Sequence, residues 1–438
     1  MKAEILTIGD ELLRGEIVDS NKSFLSDRLL SLDIQTHWHT SVRDDREQMR
    51  EAFVRAVDRA DVVLVSGGLG PTRDDLTAEV LAQTFGRKLE LDEESLEGIR
   101  AFFASVGREM SENNASQAWF PSGADVLANP IGTAPGFAIE EQDTIVVCMP
   151  GVPRELYKMM DEQVLPRLGA RSGAQIFVRA TLLRTFGMGE STLDAELHDI
   201  AMDEDVELGF RTNFPDNYLR PVARGATPEQ AEARLAEVCA QIGERLGALI
   251  YAEGEETLEQ VVGRLLVERG KTIALAESCT GGLIAERITD VAGSSEYFLG
   301  GVVAYANEAK AALLGVPEAM LAEHGAVSEP VAIAMAEGAR ERFGAALAAS
   351  TTGISGPGGG SDEKPVGLVY VALTSDEGSF CERFEFPLDR TRHRQITTHM
   401  VLDWVRRQLL GEELAGPTLM RRQGGSSAPG SSRPRGGA

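Results

Sequence analysis

Two stretches of the chain hold side chains whose types and spacing suit chemistry. The first is Ala276-Glu277-Ser278-Cys279-Thr280-Gly281-Gly282-Leu283. Three nucleophile types, Ser278, Cys279 and Thr280, precede paired glycines that let a chain leave a strand and turn at once into a helix. A side chain at such an elbow projects toward a ligand, and helix-start N–H groups can hold an oxyanion or a phosphate. The same serine would serve equally as a plain helix cap. Downstream lie Tyr305 and Lys310, and lysines are scarce here: seven, against 43 basic residues in all. In a dry pocket a lysine loses its proton more readily and can act as base for a neighbouring hydroxyl, whereas on a solvated helix face it would do neither. Tyr305 could hydrogen-bond the same group. A third piece, Ser350-Thr351-Thr352-Gly353-Ile354-Ser355-Gly356-Pro357, reads as a strand entering a Gly-rich loop, either a cradle for phosphate or ribose or a bland surface loop. Arg390 and Arg394 open the last helix, where a guanidinium can pair with a phosphate.

The second stretch is Ser66-Gly67-Gly68-Leu69-Gly70-Pro71-Thr72-Arg73-Asp74-Asp75, at the end of an apolar strand. Gly67, Gly68 and Gly70 would let the backbone approach an anion. Asp74 and Asp75 could hold a divalent metal that bridges phosphates, or could be acids that merely complement a helix dipole. Further polar loops stand at other strand ends: Gly9-Asp10-Glu11 with Asp19-Ser20-Asn21 behind it, Glu112-Asn113-Asn114 with Gln117, Asn129 through Gly136 with Thr133, and Met149-Pro150-Gly151. Together they suggest one shared pocket.

These groups must be positioned by alternating strands and helices. Ile5–Ile8, Val62–Val65 and Ile145–Val147 read as buried parallel strands, with helical spacing at Asn21–Leu32 and Arg46–Arg59. Residues 170–252 read as strands at Gln175–Thr185 and Val206–Arg211 followed by a polar helix at Pro228–Leu246. A second alternation then begins: a helix at Thr257–Arg269, strands at Thr272–Ala276, Gly301–Tyr305, Ala346–Thr352, Gly367–Thr374 and Phe380–Phe386, and a closing helix at Arg390–Leu410. The fold class is α/β: two α/β domains, 1–169 and 253–412, joined by a small α+β segment, 170–252. Residues 413–438, and above all the stretch from Ala415 with its six glycines, three prolines and four arginines, read as a disordered tail.

The motifs Gly-Gly-Leu-Gly-Pro-Thr-x-Asp-Asp and Asn-x-x-Gly-Thr-Ala-Pro-Gly resemble the molybdopterin-binding-like domain of the CinA family, the competence/damage-inducible proteins. Glu-Ser-Cys-Thr-Gly-Gly-Leu, Tyr-x-Asn-x-x-Lys, Thr-Gly-Ile-Ser-Gly-Pro and Asp-Arg-x-x-x-Arg resemble that family's nicotinamide-nucleotide amidase domain. The resemblance runs over residues 1–410. It implies that the C-terminal domain converts nicotinamide mononucleotide and water to nicotinate mononucleotide and ammonia, without a cofactor. Ser278 would be the nucleophile and Lys310 its base, a choice that spacing alone leaves open among Ser278, Cys279 and Thr280. Tyr305 and Thr352 would assist in positioning. Thr280, Gly281, Gly282, Gly353 and Gly356 would line the substrate, and Arg390 or Arg394 would bind its phosphate. For the N-terminal domain it implies hydrolysis of ADP-ribose with a divalent metal. Gly67, Gly68, Gly70 and Thr72 would hold the phosphates, Asp74, Asp75 and Asp10 the metal, and Asn113 and Thr133 the rest of the pocket. The family name carries a second possibility, an adaptor in DNA uptake or repair that acts through protein partners, and the N-terminal fold a third, a molybdopterin-handling protein. Relatives suggest a homodimer.

Composition limits the partners. The formal net charge is −25, and the tail's four arginines make the preceding residues more acidic still. Such a surface repels phosphate backbones, so direct nucleic-acid binding is not expected. Four scattered cysteines form no metal or disulfide pattern, and no apolar run approaches the length of a membrane span. A cytoplasmic protein without membrane contact is expected. On the domain limits above, a fragment 253–412 is expected to keep amidase activity.

Overall fold

The computed structural model describes residues 1–172, 176–200 and 204–414; the expected tail from Ala415 lies outside them. The chain divides into two compact units, Met1–Arg179 with Ala223–Arg234, and Ala180–Val222 with the chain from Leu235 on.

In the first unit a six-stranded sheet has the order Gln35–Val42, Lys2–Ile8, Val62–Ser66, Thr144–Met149, Gly136–Glu141, Asp125–Leu127. Its first four strands are parallel and the remaining pairs antiparallel. The central strands are continuous apolar runs because both faces are covered. Helix Arg46–Arg59 buries Met49, Phe53 and Val57 against Leu6, Val63 and Val65 on one face. Helix Ser20–Leu30 buries Leu25 and Leu29 against Ile5, Leu64 and Val147 on the other. This is the doubly wound layout the alternation predicts. Strand Asp125–Leu127 supplies the strand end expected before the Asn129 loop, whereas the antiparallel strand Gly136–Glu141 is not among the expected strands.

In the second unit a five-stranded sheet runs Phe298–Val303, Ile273–Glu277, Leu347–Gly353, Leu368–Ser375, Gly378–Glu385. The first three strands are parallel and the last two pairs antiparallel. Helices Leu258–Glu268 and Arg390–Leu410 cover one face, and Glu329–Phe343 the other. A second sheet, also of five strands, runs Val206–Asn213, Asp216–Gly225, Leu183–Thr185, Ile250–Glu253, with Phe177–Ala180 paired to Asp216–Gly225 off this path.

Helix Arg390–Leu410 is buried along most of its length, polar residues included. Each buried charge therefore needs a partner. The carboxylate of Asp403 accepts from Arg406 Nε at 2.9 Å and Arg407 Nε at 2.7 Å, and both guanidiniums also donate to the Ala248 carbonyl. The ring of His399 lies 2.7 Å from Asp216 Oδ1 and 3.0 Å from the Arg287 guanidinium, and it packs against the rings of Phe186 and Tyr251. Residues upstream of 253 thus complete the core of this unit, which is wider than residues 253–412.

Candidate active site

Strand Ile273–Glu277 is wholly buried, and the chain leaves it through Gly281 and Gly282, both at positive φ (62° and 96°), into helix Leu283–Thr289. The Ser278 amide donates to the Thr351 carbonyl at 3.0 Å, which ties the turn to the neighbouring strand. Of the three candidate nucleophiles the surroundings distinguish one. Burial pushes the Cys279 thiol up to about 12, so it is no thiolate at neutral pH. The Thr280 hydroxyl is fully buried and engaged with Thr351 Oγ1 at 2.8 Å. Ser278 keeps 8% of its surface open, and its Oγ lies 3.2 Å from Lys310 Nζ.

Lys310 is no solvated helix residue. It is 1% exposed, and its amine donates to the carbonyls of Ala304 (2.8 Å) and Tyr305 (3.3 Å). Desolvation lowers its pKa from the ordinary lysine value. A neutral amine with both N–H bonds directed at carbonyls turns its lone pair to the remaining neighbour, the Ser278 hydroxyl. Tyr305 is 60% exposed, and its hydroxyl accepts from Arg390 Nη2 at 2.9 Å while Arg390 Nη1 donates to the Gly356 carbonyl at 2.9 Å. Tyr305, Arg390 and Gly356 thus come together, and the Tyr305 carbonyl ties this group to the Lys310 amine.

Four expectations change here. Thr352 is buried and its hydroxyl donates to the Ala326 carbonyl at 2.7 Å, so it braces the strand end. Arg394 directs Nε and Nη2 at the Thr280 carbonyl, at 3.0 and 2.7 Å. The helix-start amides expected to face a ligand are filled from inside, since the buried Glu277 carboxylate accepts from the amides of Gly282, Ile284 and Ala285 at 2.9, 3.2 and 2.9 Å. Gly353 lies too close to Leu368 and Val369 for any side chain, which makes it a packing glycine. Sequence reasoning passed over Glu277; its place directly before the serine was the available signal.

In the N-terminal unit Gly67, at φ 108°, crosses the end of Lys2–Ile8 so closely that a Cβ would sit 2.3 Å from the Ile8 carbonyl oxygen. Its amide donates to Met149 and its carbonyl accepts from the Thr77 hydroxyl. A cavity of about 180 Å³ lies beside the turn, lined by Gly68, Gly70, Asp75, Gln117 and Trp119 among others. Thr133 lines a neighbouring cavity of about 470 Å³ with Asn129 and Phe102. Asn113 is exposed, and it is Asn114 that is buried, donating to Gln117, which donates in turn to the Leu69 carbonyl at 3.3 Å.

The three carboxylates expected to share a cation do not fit one. Asp10 accepts from Arg43 at 2.9 and 2.7 Å and from Arg14 at 2.5 Å, and the Arg43 guanidinium holds its carboxyl down at about 2. Asp75 accepts from the Thr72 amide at 2.8 Å, and the Thr72 hydroxyl faces both Asp74 and Asp75. Among the described residues no group of three or more His, Cys, Asp or Glu is disposed around a common point. Also among them, no helix is long and apolar enough to cross a membrane.

Three family models match consecutive stretches: "Probable molybdopterin binding domain" over 4–170, "Damage-inducible protein CinA KH domain" over 180–252, and "CinA C-terminal domain" over 255–409. The competence/damage inducible protein CihA of Agrobacterium tumefaciens, a solved structure, is 41% identical and covers 34% of this chain and 93% of its own, with a TM-score of 0.33. A CinA-like protein of Citrifermentans bemidjiense is 46% identical over 412 residues, 94% of this chain and 98% of its own. Another, of Geobacter sulfurreducens, is 44% identical over 412 residues, 94% of this chain and all of its own. The chain belongs to the CinA family.

Proposed function

We propose that the second unit is a nicotinamide mononucleotide deamidase working through Ser278 and Lys310. The observation that carries this reading is the desolvated Lys310 amine 3.2 Å from Ser278 Oγ. Neutral Lys310 takes the hydroxyl proton as Oγ forms its bond to the carboxamide carbon. The ammonium so formed returns a proton to the departing nitrogen as the C–N bond breaks, and ammonia leaves. Water, deprotonated by the same amine, then attacks the acyl-serine and releases nicotinate mononucleotide, and the ammonium returns its proton to the serine oxygen. Arg390, beside Tyr305 at the open edge of the site, meets the phosphate. No cofactor enters these steps. Ammonia release from nicotinamide mononucleotide is the test: it is expected from the native chain and absent from Ser278→Ala, and a fully active variant would refute the assignment.

For the N-terminal unit we infer binding of a phosphate-bearing nucleotide, ADP-ribose, at the glycine turn, supported by the cavity beside Gly68 and Gly70. The reading is one of binding without metal-assisted hydrolysis, because Asp10 is held by Arg43 and Arg14 while Asp74 and Asp75 accept from Thr72. The match to a molybdopterin-binding model favours a second ligand, molybdopterin. Calorimetric titration with ADP-ribose and with molybdopterin, each with and without Mg²⁺, separates the two. Nucleic acid is not proposed as a partner. Residues 180–252 hold more acids than bases and contain no Gly-x-x-Gly, the loop by which KH domains clamp a nucleic-acid backbone.

A further inference from the structure

We propose that Arg394 and Glu277 form a clamp that holds the serine turn in its reactive shape, so that Arg394 is a positioning residue and not the ligand of the substrate phosphate. The proposal rests on the deamidase reading of this unit.

The two residues grip the turn on opposite sides. Arg394 sets two N–H groups in a fork on one oxygen, the carbonyl of Thr280, two residues beyond the nucleophile. Such a fork fixes both the position and the plane of the peptide it meets. Glu277, 1% exposed and directly before the nucleophile, receives three amides from beyond Gly281. A cation thus holds the carbonyl side of the turn and an anion its amide side. The residues between them include Gly281 at positive φ with no heavy atom closer to its Cβ position than Arg394 Nη2, at 3.7 Å. Left alone, that stretch would have freedom to relax, and a shift of about 1 Å at a nucleophile can cost about 100-fold in rate.

The same contacts divide labour between the two arginines. They stand four residues apart, on one face of helix Arg390–Leu410. Arg394 faces backbone at the base of the turn. Arg390 reaches Gly356 and the exposed Tyr305, neutral partners that a dianionic phosphate would displace. With the helix-start amides occupied by Glu277, Arg390 is the group placed to recognise phosphate.

The test compares nicotinamide mononucleotide with its dephosphorylated nucleoside in the full chain. For Arg394→Lys, kcat/KM on both substrates is expected to fall about 10- to 100-fold with their ratio held within about twofold. For Arg390→Ala the ratio is expected to collapse, and Glu277→Gln should follow the Arg394 pattern. The ratio does not depend on the folded fraction. Collapse of the ratio in Arg394→Lys would overturn the proposal. If the native chain releases ammonia from neither compound, the deamidase reading fails separately. The clamp is then read from covalent labelling of Ser278 by a fluorophosphonate, expected to slow about tenfold or more in Arg394→Lys; labelling at the native rate would overturn it.

Discussion

After Val62–Ser66 and again after Ile273–Glu277 the chain ends a buried parallel strand, turns through paired positive-φ glycines and enters a helix. At the first turn the polar groups satisfy one another: Thr72 with Asp74 and Asp75, Thr77 with the Gly67 carbonyl, Asp10 with two arginines. At the second turn the clamp is likewise internally satisfied, yet it leaves a desolvated amine facing a partly open hydroxyl. A shared backbone device therefore does not imply a shared chemical readiness. In both cases the amides that a glycine motif advertises for anions are met, in part, by the chain's own carboxylates.

The largest effect expected from breaking this contrast is at Lys310. Lys310→Met should lower deamidation about 10²- to 10⁴-fold, the usual worth of a general base. In the native chain the rate should rise with pH through a pKa below the ordinary lysine range. The same residue has an opposite signature in stability. Its folded pKa is lowered, so between that value and the unfolded value of about 10.4 the unfolded chain binds more protons, and stability rises with pH across the window. Lys310→Met should accordingly raise Tm at neutral pH, by a margin that shrinks as pH approaches 10; calorimetry across pH checks both signs.

Next is the platform under the serine turn. Asp403→Ala would leave two buried guanidiniums without their carboxylate, at a cost of about 3–5 kcal/mol in chemical denaturation. The two turns themselves should respond unequally to a methyl group. Gly67→Ala meets the Ile8 carbonyl and adds a clash to the positive φ, for a loss of about 3 kcal/mol. Gly281→Ala has room and should lose about 1–2 kcal/mol from φ alone. Equal losses would show that both turns are packed alike. The smallest effect concerns cations: Mg²⁺ or Mn²⁺ without nucleotide should move Tm by less than about 1 °C. A larger rise would show the carboxylates of the first turn regrouping around the ion.

The elements were largely legible because their signals are local. Val62–Val65 in sequence became Val62–Ser66 in space, and Pro228–Leu246 and Arg390–Leu410 stand at the expected bounds. The strand expected at Gly301–Tyr305 lies earlier, at Phe298–Val303, since two glycines in its middle concealed the start. In the candidate sites, the Lys310 amine reaches Ser278 and the Tyr305 carbonyl, and Arg390 reaches the Tyr305 hydroxyl. Asp10, Thr352, Arg394 and Asn113 do not take their expected places. For the first three the place is decided by a partner the sequence does not announce: Arg43 lies 33 residues from Asp10, and Thr280 lies 114 from Arg394. Spacing within a motif says which residue types are present, but not which of them another segment will engage.

The packing around His399 bears on where this chain can be cut. A fragment beginning at 253 matches the sequence seam but would shed the Phe186 and Tyr251 rings and the Asp216 carboxylate from the His399 environment, and the Ala248 carbonyl from two buried arginines. Its longest helix would carry raw surface where a core had been. A gene fragment that starts upstream of Leu183 keeps all of these partners, so the middle segment belongs with the half that holds Ser278.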